Sequence, residues 1–330
     1  MAEVAVITGA SAGIGRAAAR EFARRGCSVA LLARGTDGLH AAAREVEELG
    51  GRPLVIPTDV ADGSAVDRAA GQVVEQFGRI DIWVNNAFAG IFSPFVDITP
   101  EEFRRVTDVT YFGQVNGTRA ALCHMLPRNS GTIVLVGSAL AYRGIPLQSA
   151  YCAAKHALQG FQDSVRAELV HMGSRVRLTM VQLPGVNTPQ FDWVRAHIKG
   201  RPRPVGAVYE PEVAARAIWD AAHSNRKQWI LGAPAYQAIW SDKFLSPLLD
   251  EYLGRTMVEA QQEGPVDSAR PDNLFDPVPG DYGAHGRFGE NARMRSPLLW
   301  ASENRGWLAA GTALALAASF VATRMTGEES

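Results

Sequence analysis

Short apolar runs alternate with segments of helical periodicity from the start of the chain to residue 232. The apolar runs, rich in Val, Ile and Leu, predict strands at residues 4–8, 29–33, 54–57, 80–84, 132–137, 175–182 and 228–231. Between them, helical spacing predicts helices at residues 16–25, 39–49, 66–77, 100–125, 151–172 and 211–223. Uninterrupted apolar strands between helices are typical of a parallel sheet covered on both faces. We therefore predict an α/β fold with a doubly wound parallel sheet and helices on both of its faces.

The alternation stops at residue 233, which predicts that one large domain covers residues 1–233. Residues 234–263 keep apolar side chains at roughly helical spacing and predict a helical extension. Residues 264–300 are rich in Pro and Gly, a composition typical of a linker. Aromatic side chains at Phe275, Tyr282 and Phe288 indicate instead an arm that packs against the rest of the protein.

The last segment, residues 301–330, contains a stretch at 307–323 without charged side chains. As a helix it would span about 25 Å, slightly less than the roughly 30 Å core of a bilayer. Arginine is more frequent before this stretch than after it, which would keep the preceding domain on the cytoplasmic side. We predict a C-terminal transmembrane helix; the alternative is a helix buried against the protein.

The charge and cysteine content exclude several classes of partner. Lys plus Arg (33) nearly balances Asp plus Glu (34), so no broad basic face for nucleic acid is expected. The three cysteines, Cys27, Cys123 and Cys152, form no CxxC pair and no cluster with metal-ligand spacing. We expect no metal site, no export signal and a reduced, cytoplasmic environment.

A glycine-rich turn follows the first predicted strand and opens the first predicted helix. Gly9, Gly13 and Gly15 are spaced Gly-x3-Gly-x-Gly, with Ser11 and Ile14 in the same turn. Glycines let the backbone approach a pyrophosphate, and the helix N-terminus offers N–H donors to it. We predict a dinucleotide-binding turn, against the alternative that the glycines are purely steric.

The end of the second predicted strand bears on the choice of cofactor. An acidic residue here would hydrogen-bond the ribose 2′-hydroxyl of NAD, but the chain has Arg34 at this point. A guanidinium can pair with a 2′-phosphate. The sequence therefore favours NADP(H) over NAD(H), unless Arg34 is simply solvated.

Three residues predict the chemistry. Ser138 follows a buried strand, Tyr151 comes thirteen residues later, and Lys155 lies four residues further on the same helix face. A free phenol has a pKa of about 10, and a neighbouring ammonium lowers it. The serine hydroxyl can stabilise charge on a substrate oxygen. This trio predicts an oxidoreductase in which the nicotinamide carries the hydride and Tyr151 carries the proton.

With these motifs the chain resembles the short-chain dehydrogenase/reductase family, in its branch with a single Rossmann-type domain. The resemblance covers about residues 3–232 and includes Asp59-Val60 and Asn85-Asn86-Ala87. It implies that Asp59 and Val60 lie by the adenine and that Asn86 and Ala87 support the cofactor. It also implies that Tyr151 and Lys155 contact the cofactor, Lys155 at the nicotinamide ribose. Family members commonly form dimers or tetramers, so a homo-oligomer is an open expectation.

The chain departs from the family pattern at three places. Phe88-Ala89 intervenes between Asn-Asn-Ala and Gly90, and Thr110 stands where the family has a catalytic Asn on a long helix. Thr110 is therefore a doubtful member of the catalytic set. The family's Pro-Gly stretch beside the nicotinamide appears here with Leu183 in its usual proline position. The resemblance makes Val186 and Thr188 the candidates for cofactor contact there.

The substrate is expected to bind in the loop after Thr188, a variable region in the family. Aromatic residues in and near this loop, with Phe92, Phe191 and Trp193 as the named candidates, suggest a lipophilic carbonyl or secondary alcohol. The alternative is that they only pack the loop. We predict an NADP(H)-dependent reductase or dehydrogenase, against a non-catalytic NADP-binding scaffold or an epimerase or isomerase on the same fold.

Overall fold

The computed structural model describes residues 2–265 and 270–307. The elements of the first half are, in chain order, β1 (Val4–Thr8), α1 (Gly13–Arg24), β2 (Ser28–Ala33), α2 (Thr36–Glu48), β3 (Arg52–Pro57), α3 (Gly63–Phe77), β4 (Ile82–Asn85), β5 (Ile91–Phe92), α4 (Pro100–Thr107), α5 (Gly113–Met125), β6 (Thr132–Ser138) and α6 (Ser149–His171). Those of the second half are β7 (Arg177–Leu183), β8 (Gly185–Val186), α7 (Gln190–Trp193), β9 (Arg195–Ala196), β10 (Gly200–Pro202), β11 (Val208–Tyr209), α8 (Pro211–Ala222), β12 (Gln228–Ile230), α9 (Ala233–Ala260), β13 (Gln262–Pro265), β14 (Ala292–Arg293) and α10 (Pro297–Glu303).

Seven parallel strands form the central sheet, in the order β12-β7-β6-β4-β1-β2-β3. Each strand is reached through a helical crossover, which is the connection that parallel pairing requires. The strand order reverses between β1 and β4, so their carboxyl ends flank the switch point of the sheet. The predicted fold class, a Rossmann-like doubly wound α/β sheet, is confirmed.

Alternate residues of each strand supply two separate cores, as expected for side chains with a period of two. Ile7 and Leu31 face a cluster that includes Phe22 of α1 and Ile218 of α8. The neighbouring strand residues face the opposite cluster, which includes Leu158 of α6. The sheet is thus buried on both faces, which explains its uninterrupted apolar strands.

Local signals in the sequence set several helix ends. Thr99 and Glu102 form a reciprocal capping box at the start of α4, with Pro100 at its first position. Asp62 caps α3, which ends at Gly78 in the left-handed conformation.

The helix predicted over residues 100–125 contains a π-helical turn. A π-helical turn at Asp108–Phe112 separates α4 from α5. Such a turn accommodates one extra residue and leaves a helix bent at that point. The predicted helix is therefore present over its whole length, and the π-helical turn within it was not predicted, because the apolar pattern continues across the turn.

Beyond the central sheet the described chain consists of one long helix, short strands and an irregular segment. The helix α9 covers most of the predicted helical extension, and β13 pairs with β10. Residues 270–288, here called the arm, contain no helix or strand. Within residues 2–265 and 270–307, no helix combines the length and the hydropathy needed to cross a membrane. The rest of the predicted transmembrane segment lies outside the described residues.

Candidate active site

The carboxyl ends of β1, β2 and β4 open onto one cleft, at the switch point of the sheet. The predicted cofactor residues that line it are Gly9, Ser11, Gly13, Ile14, Arg34, Asp59, Val60, Asn86, Ala87 and Thr188. The predicted residues Gly15, Tyr151, Lys155 and Val186 are not in this lining. Most of the residues proposed for the nucleotide are thus brought together by the fold.

The glycine turn has the backbone that its sequence predicts. Gly9 and Gly13 have φ of 68° and 58°, in the left-handed region that favours glycine. A side chain on Gly15 would collide with the carbonyl of Gly9, so this glycine permits α1 to pack against the turn. Gly13 is the first residue of α1, and its N–H points out of the helix N-terminus. The turn therefore brings the N-terminus of α1, a group suited to binding phosphate, to the cleft.

The segment that follows β4 is hydrogen-bonded to Thr8, the residue before the glycine turn. The Asn86 amide donates to the carbonyl of Thr8 at 2.9 Å. The Thr8 hydroxyl accepts from the backbone N–H groups of Asn86 and Ala87, at 2.9 and 3.0 Å. Asn86 thus positions the turn as well as lining the cleft.

The arm lies across the cleft. It contributes Asn273, Pro277, Val278, Gly280 and Tyr282 to the lining. The Gly13 N–H at the start of α1 donates to the carbonyl of Gly283 at 3.0 Å. The arm is therefore part of the wall of the cofactor cleft, a position that its Pro and Gly content alone did not predict.

Arg34 lies in the cleft, but the arm surrounds its guanidinium. Arg34 donates to the backbone carbonyls of Asn273, Leu274 and Phe275. Its pKa is lowered, first by burial and then by the positive charge of Arg105, while Asp59 and Asp276 oppose the shift. Local sequence does not predict these carbonyl partners, because they lie about 240 residues further along the chain.

Asp59 faces the cleft and carries an ion pair. Its carboxylate accepts from Arg105 at 2.6 Å and from the backbone N–H of Ala61 at 3.0 Å. The carbonyl of Val60 accepts from the Asn116 amide at 2.9 Å. Asn116 therefore supports the nucleotide end of the cleft and is not directed toward the catalytic trio.

The three predicted catalytic residues meet at the carboxyl end of β6. Ser138 is the last residue of β6; its hydroxyl accepts from the N–H of Leu140 at 3.1 Å, and its interaction with the Tyr151 phenol acts to lower the pKa of that phenol. Lys155, one helical turn after Tyr151, is only 2% exposed. Its Nζ lies 5.5 Å from the centre of the Tyr151 ring and donates to the carbonyl of Val136 at 2.6 Å.

Burial shifts the pKa values of Tyr151 and Lys155. It raises the pKa of the Tyr151 phenol above its ordinary value, while the hydrogen bond from Ser138 acts in the opposite direction. It lowers the pKa of the Lys155 amine to about 7. The expected lowering of the phenol pKa by an ammonium is not what this arrangement gives, because desolvation is the larger effect. A protonated phenol is the form that can donate a proton.

Thr110 occupies the π-helical turn and is fully buried. Its hydroxyl donates to the carbonyl of Ala89 at 2.8 Å and accepts from the N–H of Ala89 at 2.9 Å. The one proton of this hydroxyl is thus committed to a backbone carbonyl. Thr110 holds the loop after Asn86 in place, and its side chain has no proton left to pass on.

Two residues near the trio were missed by the sequence analysis. Gln114, 1% exposed, donates to the same Val136 carbonyl as Lys155, at 3.1 Å. Its position one turn after Thr110, on the same helix face, was the available signal. The ring of Phe88 packs edge-on against Tyr151 at 5.8 Å and also lines the cleft. Phe88 therefore joins the trio to the nucleotide cleft.

Two residues predicted to contact the cofactor follow β7, and one of them lines the cleft. Thr188 lines the cleft, whereas Val186 is buried and pairs with Tyr209 in a small sheet. The side chain of Val186 therefore packs in the core beside the site. Its backbone lies in the same β8 segment that leads to Thr188.

Of the three aromatic residues predicted to contact the substrate, two are buried in a cluster and one lines the cleft. Phe92 and Phe191 are buried and pack with Phe288, which follows the Pro- and Gly-rich part of the arm. Trp193 lines the cleft and contacts Tyr282 edge-on at 4.6 Å. The packing interpretation thus fits Phe92 and Phe191, whereas Trp193 lines the cleft.

One cluster of potential ligands exists among the described residues, although the sequence predicts no metal site. The side chains of Glu210, Glu212 and His285 approach one another. His285 Nε2 lies 3.1 Å from the Glu212 carboxylate, so the cluster ties the arm to the start of α8. It lies outside the cleft lining.

Comparison with known sequences identifies relatives over most of the chain. The short chain dehydrogenase family matches residues 3–199. An uncharacterized oxidoreductase, YxnA of Bacillus subtilis, is 33% identical over 297 residues, which cover 89% of this chain and 83% of the relative. A putative oxidoreductase, SadH of Mycobacterium tuberculosis, is 38% identical over 245 residues, 71% of this chain and 87% of that protein.

Solved structures give the same result. A metagenomic short-chain oxidoreductase in complex with NADP is 29% identical, with a TM-score of 0.59, over 69% of this chain and 96% of that one. An alcohol dehydrogenase from Thermococcus sibiricus complexed with 5-hydroxy-NADP is 28% identical, with a TM-score of 0.60, over 70% and 96% of the two chains. The serine, tyrosine and lysine beside the glycine-lined cleft are thus found in a chain that belongs to the short-chain dehydrogenase family of oxidoreductases.

Proposed function

We propose that the protein transfers a hydride between NADP(H) and a lipophilic carbonyl or secondary alcohol, with Tyr151 as the acid and base. The observation that carries this proposal is the meeting of Ser138, Tyr151 and Lys155 beside a glycine-lined cleft. Phe88 touches both the Tyr151 ring and the cleft, so the proton donor lies next to the cofactor space.

The chain's residues fit a dinucleotide. Gly9 and Gly13 line the cleft, and added Cβ atoms on them would meet Ala87 and Thr188 at 2.9 and 3.2 Å, so the turn requires glycine at both positions. The Arg34 guanidinium at the end of β2 supports a cofactor with a 2′-phosphate. Two related structures, described above, contain NADP or a derivative of it.

Each residue of the trio has a separate task in the reductive direction. Bound NADPH supplies the hydride that reaches the carbonyl carbon. Ser138 donates a hydrogen bond to the carbonyl oxygen as negative charge develops on it. The Tyr151 phenol gives its proton to that oxygen, which completes the alcohol. Lys155 stabilises the phenolate that remains, and the reverse sequence oxidises the alcohol.

The substrate class rests on the apolar surroundings of the phenol. Phe88 packs against Tyr151, and Trp193 lies on the wall of the same cleft. An apolar ketone or aldehyde would keep this surface out of water. A polar sugar would leave its hydroxyl groups without partners beside these rings.

A turnover panel tests the proposal directly. Carbonyls and alcohols of increasing polarity are incubated with NADPH or NADP+, and Tyr151→Phe serves as the blank. We expect apolar carbonyls to be reduced by the wild type only. Tight NADPH binding without turnover of any compound would favour a scaffold, and preference for small polar sugars would contradict the substrate class.

We also propose that the tail tethers the enzyme to a membrane through residues 307–323, with the catalytic domain on the cytoplasmic side. The support is the uncharged stretch and the arginines that precede it. Fractionation of the full chain and of a chain ending at residue 300 tests this. Equal solubility of the two would contradict it.

A further inference from the structure

The arm is fastened over the cleft at two ends. Upstream, Arg270 donates to the carbonyls of Asp192 and Val194, and the N–H of Asn273 donates to the carbonyl of Trp193 at 3.1 Å. Downstream, Asp281 pairs with the buried Arg16 at 2.9 Å. The segment between these ends is therefore held against the mouth of the cleft.

Carbonyl oxygens of the arm occupy donors that an anionic cofactor needs. The carbonyls of Asn273, Leu274 and Phe275 take both terminal nitrogens of Arg34. The carbonyl of Gly283 takes the N–H of Gly13, at the N-terminus of α1. A guanidinium and a helix N-terminus are the groups that bind phosphate most readily in proteins.

The carbonyls leave the positive charge of Arg34 only partly compensated. Burial and the neighbouring Arg105 lower the Arg34 pKa, and the carboxylate of Asp59 is already paired with Arg105. A neutral carbonyl compensates a buried cation less well than an anion does, since hydrogen bonds between two charged groups are roughly twice as strong. A phosphate would thus be the stronger partner for this guanidinium.

We propose that residues 273–275 determine the cofactor preference, because their carbonyls and a 2′-phosphate are alternative partners of Arg34. The proposal rests on the NADP(H)-dependent function given above. NADPH binds by displacing these carbonyls from both terminal nitrogens of Arg34. NADH, which has no 2′-phosphate, leaves them in place. The strength of the arm's attachment therefore sets how strongly the 2′-phosphate is favoured.

The arm is suited to exchange partners in this way. It has no helix or strand whose hydrogen bonds would have to break together. Leu274 is fully buried, so the movement required is a local shift of the backbone about this anchor. A backbone shift that withdraws the carbonyls also moves the peptide N–H groups of this segment; those of Asn273 and Leu274 donate to Trp193 and Asp272, at 3.1 and 3.0 Å.

The decisive variant loosens the arm without touching Arg34. Arg270→Leu removes the upstream fastening in the full-length protein. We expect its dissociation constant for NADPH to fall by about 3- to 10-fold, the effect of one or two lost competing hydrogen bonds, with NADH little changed. The substitution removes a positive charge, so electrostatics alone would weaken the binding of an anion. Arg175→Leu, an exposed arginine at the opposite end of the sheet, is the matched control.

Hydrogen–deuterium exchange of the wild type gives an independent readout. NADPH, or adenosine 2′,5′-bisphosphate as a probe without the nicotinamide half, should accelerate exchange at residues 273–275. NADH and 5′-AMP should not. Unchanged or weaker NADPH binding by Arg270→Leu would overturn the proposal, as would slower exchange at 273–275 with both cofactors.

The two proposals can fail separately. If NADPH binds and Tyr151-dependent turnover is observed while Arg270→Leu has wild-type affinity, the competition is wrong and the oxidoreductase function stands. If the wild type does not bind NADPH, both are wrong.

Discussion

The sheet domain and the arm line the same cleft, yet different forces hold them. The strands β1, β2 and β4 are buried on both faces, and the cores contain side chains from every helix that covers them. The arm is held by hydrogen bonds and by ion pairs such as Arg16–Asp281, and its Leu274 is buried in one of the two cores. We infer that the cofactor meets one rigid wall and one wall that can yield.

The largest expected effect is at the catalytic trio, which lies beside the rigid wall. Tyr151→Phe removes the proton donor and keeps the ring that packs against Phe88, so we expect kcat to fall by about 10²- to 10⁴-fold. The affinity for NADPH should stay within a few-fold of wild type. Steady-state kinetics and fluorescence titration measure the two quantities. Tyr252→Phe, on an exposed part of α9, is the control and should keep full activity.

A pair of leucine substitutions compares the stability of the two walls. Leu135 in β6 and Leu274 in the arm are both fully buried. We expect Leu135→Ala to lower the free energy of unfolding by about 2–5 kcal/mol, because it opens a cavity in the core. Leu274→Ala should release the arm and leave global unfolding close to wild type. Denaturant unfolding, with exchange of the arm amides, distinguishes them; equal losses would mean that the arm unfolds together with the sheet.

Arg34 lies where the sheet domain meets the arm, and its substitution should change the affinity for only one of the two cofactors. Arg34→Leu removes the charge that would pair with a 2′-phosphate, so we expect NADPH to bind about 10- to 100-fold more weakly. NADH affinity should hardly change. Titration of both cofactors measures this, with the exposed Arg44→Leu as the control. Equal losses for the two cofactors would contradict a 2′-phosphate site at Arg34.

The last prediction concerns how stability depends on pH at the buried amine. Burial lowers the Lys155 pKa from its ordinary value of 10.5 to about 7. Between these two values the unfolded chain binds more protons than the folded one, so this residue makes the free energy of unfolding rise with pH in that window. Lys155→Met should lack this rise. Denaturant unfolding at pH 7 and pH 10 measures it, and parallel behaviour of the two proteins would contradict the lowered pKa.

The sequence predicted the sheet domain because local rules agree there. Apolar strands, glycines at required backbone angles and a Tyr and Lys one turn apart each have a direct structural meaning. The π-helical turn at Thr110 did not follow, since the apolar periodicity passes through it unchanged. The hydrogen-bond partners of Arg34 could not be predicted from the sequence either. They are backbone carbonyls, and no pattern of side chains determines where those lie.

The candidate site was likewise predicted only in part. Ser138, Tyr151 and Lys155 were predicted and lie together, while Gln114 was missed although it shares an acceptor with Lys155. The effect of the ammonium on the phenol was judged from distance along the helix alone. Desolvation, which depends on the whole surrounding fold, turned out to be the larger influence on both groups.

Transfer of an isotopic label tests the central claim most directly. NADPH deuterated at the reactive carbon of its nicotinamide is incubated with an apolar ketone and the full-length protein. We predict an alcohol with one deuterium on its carbinol carbon, formed in equal amount to the NADP+ produced, and no such product with Tyr151→Phe. An altered product without deuterium, or none despite tight NADPH binding, would contradict hydride transfer as the function of this site.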